Sequence, residues 1–287
     1  IVRKASFALK RRIDELIELA RGETGLLKIK IQPINLTFLF DEMKSQIQPL
    51  ANQKGLKLEM RTGDNLPLVR GELSRPSLQN LQLLLQQIVD VNEFTGEVEI
   101  YMQDLNSGTD LQVAYRDGEV LTPGIAFSAD STIKIAVMSA AYREIEEPAS
   151  PEISELVQEM IAMSDNVSTD ALMVEVLDPT LGPLAVTRTM KEIGLESTFL
   201  DGMFYVGAPL LSGGISTPAN TRQDVTTEPD PYNQTTPTEI GMLLTDIYQC
   251  AQYSGGSLIA AFPGEITSGE CKSMISYLTQ NRIGVLI

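Results

Sequence analysis

The run Ile133–Ala141, "IKIAVMSAA", constrains the fold of this chain more than any other stretch. It is apolar all the way round, so a helix formed by it has no face to give to water and reads as a buried core element. Yet Ser131, Thr132 and Lys134 stand at its start. Lysine rarely enters a core. On a helix, positions i and i+3 share a face, so Ser131 and Lys134 can be neighbours.

What that pair could do depends on a composition fact: the 287 residues include no histidine. A Ser-His-Asp triad, a His-ligated zinc site and a phospho-accepting histidine are all excluded. A serine hydroxyl is a poor nucleophile until a base takes its proton, and lysine is the remaining candidate. Burial disfavours the ammonium and can leave a neutral amine able to act as base. The backbone N–H groups of a helix start lie near the serine and suit an oxyanion. The pattern S-x-x-K alone is weak, since average composition gives on the order of one match in a chain this long.

A second element, "SDN" at Ser164–Asn166, follows 33 residues after Ser131. Chance produces it in roughly a few per cent of such chains, and its plain reading is an Asx-turn or helix cap. It falls at the end of a helix expected from Ser150 (N-cap) and Pro151 (N1) to Met163. Further helix starts are expected at Thr236-Pro237 with Glu239, running to Tyr253, and at Thr267 with Glu270, both as capping boxes. A helix over 77–91 leads into the strand "GEVEIYMQDL", the turn "NSG" and the strand "DLQVAY". Residues 199–235, rich in Gly, Pro, Ser and Thr, form a long loop of the kind that usually has a function or is disordered. Met138, Met160, Met163 and Met173 read as core filler. Cys250 and Cys271 are too few for a disulfide scaffold and lack metal-ligand spacing, and they leave the compartment open.

With S-x-x-K and S-D-N in this order, "FSADSTIKIAV", "ELVQEMIAMSDNVSTDALM" and "QTTPTEIGMLLTDIYQ" resemble the class A β-lactamases and penicillin-binding D,D-peptidases. The resemblance covers about residues 77–287. It implies an α+β fold of the β-lactamase/transpeptidase type, an antiparallel sheet with helices plus an all-helical lobe. It also implies Ser131 as acylated nucleophile, Lys134 as its base or proton relay, and Ser164 as proton shuttle to the leaving nitrogen. Asn166 would bind the substrate amide and Lys134, Asp165 would be structural, and the Ser131 N–H would supply half an oxyanion hole. The expected partner is a small substrate, a β-lactam or peptidoglycan-like amide or ester, with no cofactor and no metal.

Three departures accompany the resemblance. The motif separation is shorter than that family's. K-[ST]-G does not appear before "NRIGVLI", where its strand is expected to be approaching, so the reading is of a chain cut short. Aligning "FLDGMFYVGA" with the family's loop puts Phe204 where a water-activating glutamate stands and Ala208 where its asparagine partner stands, with Asp201 the nearest carboxylate. Slow deacylation follows as an expectation.

Residues 1–75 have a different character. They carry 14 Lys+Arg against 9 Asp+Glu, a net of +5; the rest carries 8 against 29, a net of −21, within a total of −16. The acidic bulk argues against nucleic acid as partner, and no 18-residue apolar run suggests a membrane span. An amphipathic helix is expected over 3–20, strands at "LLKIKIQPI" and "KGLKLEM", and a helix from Asn35 or Thr37 to Leu50. "ELIELARGETGLLKIKIQPINL", "QPLANQKGLKLEM" and "LPLVRGELSR" resemble the junction of sensor histidine kinases, where the last dimerisation helix enters the ATP-binding domain. The phospho-acceptor motif, the magnesium-binding asparagine pattern and a glycine-rich ATP lid are missing, so no phosphorylation by this segment alone is expected. The domain reading is a partial kinase-like segment over 1–75 and a hydrolase domain over 76–287. The competing readings are a non-catalytic binding module of the same fold and a sensor-kinase fragment fused to an accessory domain. The two resemblances point to different compartments, outside the cytoplasm for the hydrolase and inside for the kinase.

Overall fold

The computed structural model describes residues 33–34, 69–70, 78–91, 94–105 and 107–280. The chain divides into two compact units, Ile1–Leu81 and Gln82–Ile287. In the first, β1 (Pro33–Ile34) and β2 (Val69–Arg70) form a short antiparallel pair. The helices expected over 3–20 and 35–50 and the strand "KGLKLEM" lie outside the described residues, as does the kinase-like junction except for Pro33–Ile34, the end of the expected strand "LLKIKIQPI", and Val69–Arg70. The tail "IGVLI" lies outside them too.

α1 (Leu78–Val91) crosses the division between the units and leads into the second. There β3 (Glu97–Gln103), β4 (Asp110–Arg116) and β5 (Glu119–Leu121) make an antiparallel meander, with Glu97 opposite Arg116 and Gln103 opposite Asp110. The hairpin expected from the sequence is present, and Gly108 takes the left-handed backbone its turn requires (φ 73°). β5 was not anticipated; three residues are too few to show a period.

A second, smaller sheet positions the site. β6 (Phe127–Ser128) is followed by a 3-10 turn over Asp130–Ile133, which runs straight into α2 (Lys134–Ala141). α3 spans Pro151–Ala162 and α4 spans Asn166–Leu172, continued by a wider π turn over Met173–Leu177. After α5 (Gly182–Glu192), β7 (Phe199–Leu200) and β8 (Asn233–Thr235) close the long loop at its two ends, in the strand order β6-β8-β7. The last elements are α6 (Pro237–Tyr253), α7 (Ser257–Ala261) and α8 (Ser268–Leu278). The content is α+β, antiparallel sheets with helices, as expected.

Every residue of α2 is buried, as its apolar run Ile135–Met138 and Ala140–Ala141 requires, and Lys134 and Ser139 are buried with it. Its surroundings include Val157, Met160, Met173, Val186, Met190, Leu243 and Ile247 from the neighbouring helices. Met138, Met160 and Met173 are core residues, but Met163 is 56% exposed, because α3 ends before it. α6 lies close to β3: a Cβ at Gly241 would collide with the Tyr101 ring, and Thr245 Oγ1 donates to Gln103 Oε1 at 2.8 Å.

The two cysteines form a disulfide. α6 and α8 pack together and bring the Cα atoms of Cys250 and Cys271 to 5.9 Å. Their spacing of 21 residues carried no sign of this, because helix packing, not chain proximity, joins them. Among the described residues no helix is long and apolar enough to cross a membrane, and no cluster of three or more His, Cys, Asp or Glu is placed to share a metal ion.

Candidate active site

The segment leading to Ser131 is pinned from both sheets. Glu99 of β3 accepts from the backbone N–H groups of Gly124 (3.0 Å) and Ile125 (2.6 Å). β6 then pairs with β8, Phe127 opposite Thr235 and Ser128 opposite Gln234, and the Ala129 N–H donates to the Asn233 carbonyl at 3.3 Å. Asp130 turns the chain through the left-handed region (φ 47°), and Ser131 begins the tight turn that ends at Lys134.

The second motif arrives from the opposite side. α3 starts where the sequence placed it, with Ser150 Oγ accepting from Ile153 N and Pro151 at N1. Between α3 and α4 the chain reverses at Ser164, whose φ of 56° is uncommon for a residue with a side chain. That turn aims both oxygens of Ser164 at one amine. Lys134 Nζ donates to the Ser164 carbonyl (2.6 Å), to Ser164 Oγ (3.1 Å) and to Asn166 Oδ1 (2.7 Å). Ser164 Oγ in turn donates to Ser131 Oγ at 2.7 Å. Asp165 turns away and caps α4, accepting from Ser168 N at 2.7 Å, which holds its carboxyl below the usual range. The cap reading of "SDN" thus holds for Asp165, while Ser164 and Asn166 of the same tripeptide turn to Lys134.

The four residues singled out in the sequence, Ser131, Lys134, Ser164 and Asn166, therefore meet. Their connection differs from simple i, i+3 adjacency: the hydrogen-bonded path from Lys134 to Ser131 runs through Ser164. Ser164, arriving from the turn between α3 and α4, bridges the two side chains.

Lys134 is buried outright, while Ser131 and Ser164 are partly accessible and Asn166 is exposed. Burial pulls the Lys134 pKa down to about 8, although Asp165 and Asp170 both favour the charged form. The Phe204 ring lies on the amine, its centroid 5.2 Å from Nζ. Sequence reasoning missed what holds that ring in place. Asp170 stands four residues after Asn166, hence on the same face of α4, and its carboxylate accepts from Phe204 N (2.8 Å) and Tyr205 N (3.0 Å). The N-x-x-x-D spacing was the available signal. Burial raises the Asp170 pKa against the pull of those two bonds.

Asp201 does not face the pair. It is fully buried and organises its own loop, accepting from Ser212 N, Ser212 Oγ (both 2.8 Å) and Gly214 N (3.2 Å). Phe204, Tyr205, Ala208, Asp230 and Asn233 help line a cavity of about 290 Å³. A larger hollow of about 530 Å³, lined by Arg222, Asp224 and Glu239 among others, contains none of the four motif residues.

Residues 146–261 match the family model described as the β-lactamase enzyme family. Ser164 and Asn166 fall inside the matched stretch, and Ser131 and Lys134 lie ahead of it. Similar solved structures include a β-lactamase from Desulfarculus baarsii DSM 2075 (18% identity, TM-score 0.47, covering 72% of this chain and 71% of that one). They also include a β-lactamase from Xanthomonas campestris pv. campestris (16%, 0.46, 72% of each chain) and an ancestral class A β-lactamase (17%, 0.42, 69% and 71%). No curated protein matches the sequence.

Proposed function

We propose that this protein is a serine hydrolase of the β-lactamase and penicillin-binding type, acylated on Ser131 by a β-lactam or another small amide or ester. One observation carries the reading: the unbroken hydrogen-bonded run Ser131–Ser164–Lys134, ending on a buried amine. The run has two polarities. With Lys134 charged, its Nζ donates to Ser164 Oγ, which donates to Ser131 Oγ. With Lys134 neutral the bonds reverse: Ser131 donates to Ser164, and Ser164 donates to the amine lone pair. Two N–H groups of Lys134 remain, and the Ser164 carbonyl and Asn166 Oδ1 accept them. The neutral form is the reactive one.

In acylation Ser131 Oγ attacks the carbonyl carbon and its proton passes to Ser164, whose own proton passes to Lys134. The Ser131 backbone N–H steadies the oxyanion. As the carbon–nitrogen bond breaks, Ser164 protonates the leaving nitrogen and recovers a proton from Lys134. The ester is left on Ser131 and Lys134 is neutral again. Asn166, exposed beside the relay, is free on its Nδ2 side to hold the substrate amide.

Deacylation has no comparable relay. On the loop side of the ester stand Phe204, which accepts no proton, and Ala208, and the carboxylate that lines their cavity, Asp230, is occupied in accepting from Tyr232 N at 2.7 Å. General-base assistance is worth roughly 10²–10⁴-fold, so the acyl-enzyme persists. The match over residues 146–261 supports the hydrolase assignment for residues 76–287, and residues 1–75 take no part in this chemistry.

Incubation with a fluorescent penicillin, followed by peptide mapping, tests the proposal. A single adduct on Ser131, abolished in Ser131→Ala and lasting minutes, is the expected result. Absence of an adduct in the folded protein, or its appearance elsewhere, refutes it.

A further inference from the structure

We propose that Phe204 is a positioning residue for acylation: its ring, locked to α4 by Asp170, shields Lys134 from water and so enlarges the uncharged fraction of the amine that can react. The proposal rests on the acyl-enzyme reading above, but it concerns the charge state of Lys134 and can be tested by itself.

The amine is enclosed from two sides. Ser164 and Asn166 supply three acceptors on one, and the Phe204 ring covers another at 5.2 Å, leaving Lys134 no exposed surface. The enclosure is held in register. α4 presents Asn166 to the amine and, one turn later, uses the Asp170 carboxylate to grip two successive amides at the base of the ring. The loop cannot slide along α4 without breaking both bonds.

The balance of forces decides what the ring does. Asp165, capping α4, and Asp170 itself both favour the ammonium. Residues 203–208 of the loop, Met-Phe-Tyr-Val-Gly-Ala, bring no charged side chain, and Asp230, which lines the same cavity as Phe204, would also favour the ammonium. The ring face also attracts a cation at this distance. Everything charged or polarisable near Nζ therefore favours the protonated form, and only the loss of hydration opposes it. That loss prevails, since the Lys134 pKa sits at about 8 against an ordinary 10.5. Phe204 is the apolar group that the loop contributes to the enclosure, so removing its bulk readmits water to the amine.

The test is a titration of Lys134 in the full chain, by NMR of ¹³C-labelled lysine side chains with the resonance assigned through Lys134→Arg. Phe204→Leu, Phe204→Val and Phe204→Ala form a graded series. Leu keeps apolar bulk without a π face and should titrate near wild type. Val and Ala should move the midpoint progressively upward, by about one pH unit or more for Ala, toward the ordinary lysine value. The acid limb of the acylation rate should move with it, lowering the rate at pH 7 by about tenfold per unit. Thermal melts show which variants are folded; a packing role alone would lower the melting temperature without moving the titration. An unchanged Lys134 midpoint across the folded variants, Leu and Val included, overturns the proposal. A wild-type protein that takes no adduct on Ser131 overturns the acyl-enzyme reading instead, and the titration still decides the role of Phe204.

Discussion

Replacing Phe204 by glutamate should speed one half of the reaction and slow the other. The new carboxylate would stand near the position of the ring, whose centroid is 5.2 Å from Lys134 Nζ. At an effective dielectric of about 20, a unit charge at that distance favours the ammonium by about 3 kcal/mol, or about 2 pKa units. Lys134 would then titrate near 10 rather than about 8. The sign follows from the base being the neutral amine: raising its pKa moves the acid limb upward, so acylation at pH 7 should fall by about 100-fold. The same carboxylate, on the loop side of the ester, can accept a proton from water and should shorten the acyl-enzyme lifetime by roughly 10²–10⁴-fold. Stopped-flow acylation with a chromogenic cephalosporin, read from pH 6 to 10, measures the first effect. Decay of the adduct by intact-protein mass spectrometry measures the second. Acylation of the folded variant at the wild-type rate with an unshifted acid limb, or an unchanged adduct lifetime, refutes the argument.

Other perturbations separate chemistry from stability. Ser164→Ala removes the bridging hydroxyl while leaving Lys134 its bonds to the residue 164 carbonyl and to Asn166, so acylation should fall by roughly 10²–10⁴-fold with little change in melting temperature. Lys134→Met should abolish the adduct yet stabilise the fold by about 1–3 kcal/mol at pH 7, read by urea unfolding. Its linkage is checkable: a lysine with a lowered native pKa binds its proton more weakly when folded, so wild-type stability should rise between pH 8 and 10, and the Met variant should lose that rise. Opening the Cys250–Cys271 bridge, by reductant or by Cys250→Ser with Cys271→Ser, should cost about 3 kcal/mol, since it frees a loop of that span in the unfolded chain. A denaturation midpoint indifferent to reductant would contradict this.

Local signals were legible in the sequence and tertiary competition was not. The start of α3 at Ser150-Pro151 and the capping box of Thr267 with Glu270 need only neighbours in the chain, and both stand where expected. The same pattern at Thr236 and Glu239 is only half formed. Thr236 Oγ1 accepts from Glu239 N at 3.1 Å, but the Glu239 carboxylate serves Ser197 N (2.9 and 3.0 Å) and Thr198 Oγ1 (2.6 Å) instead. Burial there raises its pKa. A partner some 40 residues away outbid the local one, and no spacing rule announces that. The sheet of β6, β7 and β8 escaped for a related reason, since strands of two or three residues have no period and exist through pairing across the long loop.

The site divides along the same line. S-x-x-K and S-D-N are local motifs, and their residues do meet; what the sequence could not give is the order in which they touch. Adjacency of Ser131 and Lys134 on one helix would make the lysine a direct base. The left-handed backbone at Ser164 instead brings a hydroxyl into the hydrogen-bonded path that joins them. In the proposed acylation that hydroxyl makes the charge on Lys134 decisive, because the direction of two hydrogen bonds reverses with it and only one direction draws the proton off Ser131. A site built this way is governed by whatever sets the hydration of a single amine. In the role proposed for Phe204 that is an aromatic ring from a loop joined to α4 through Asp170, a contact 34 residues long in sequence. Phe204 is thus not merely the absence of a carboxylate that would activate water. In the proposed mechanism the side chain that gives the ester no base on one side is the one that lowers the proton affinity of the base on the other, and a single substitution there should trade the two steps against each other.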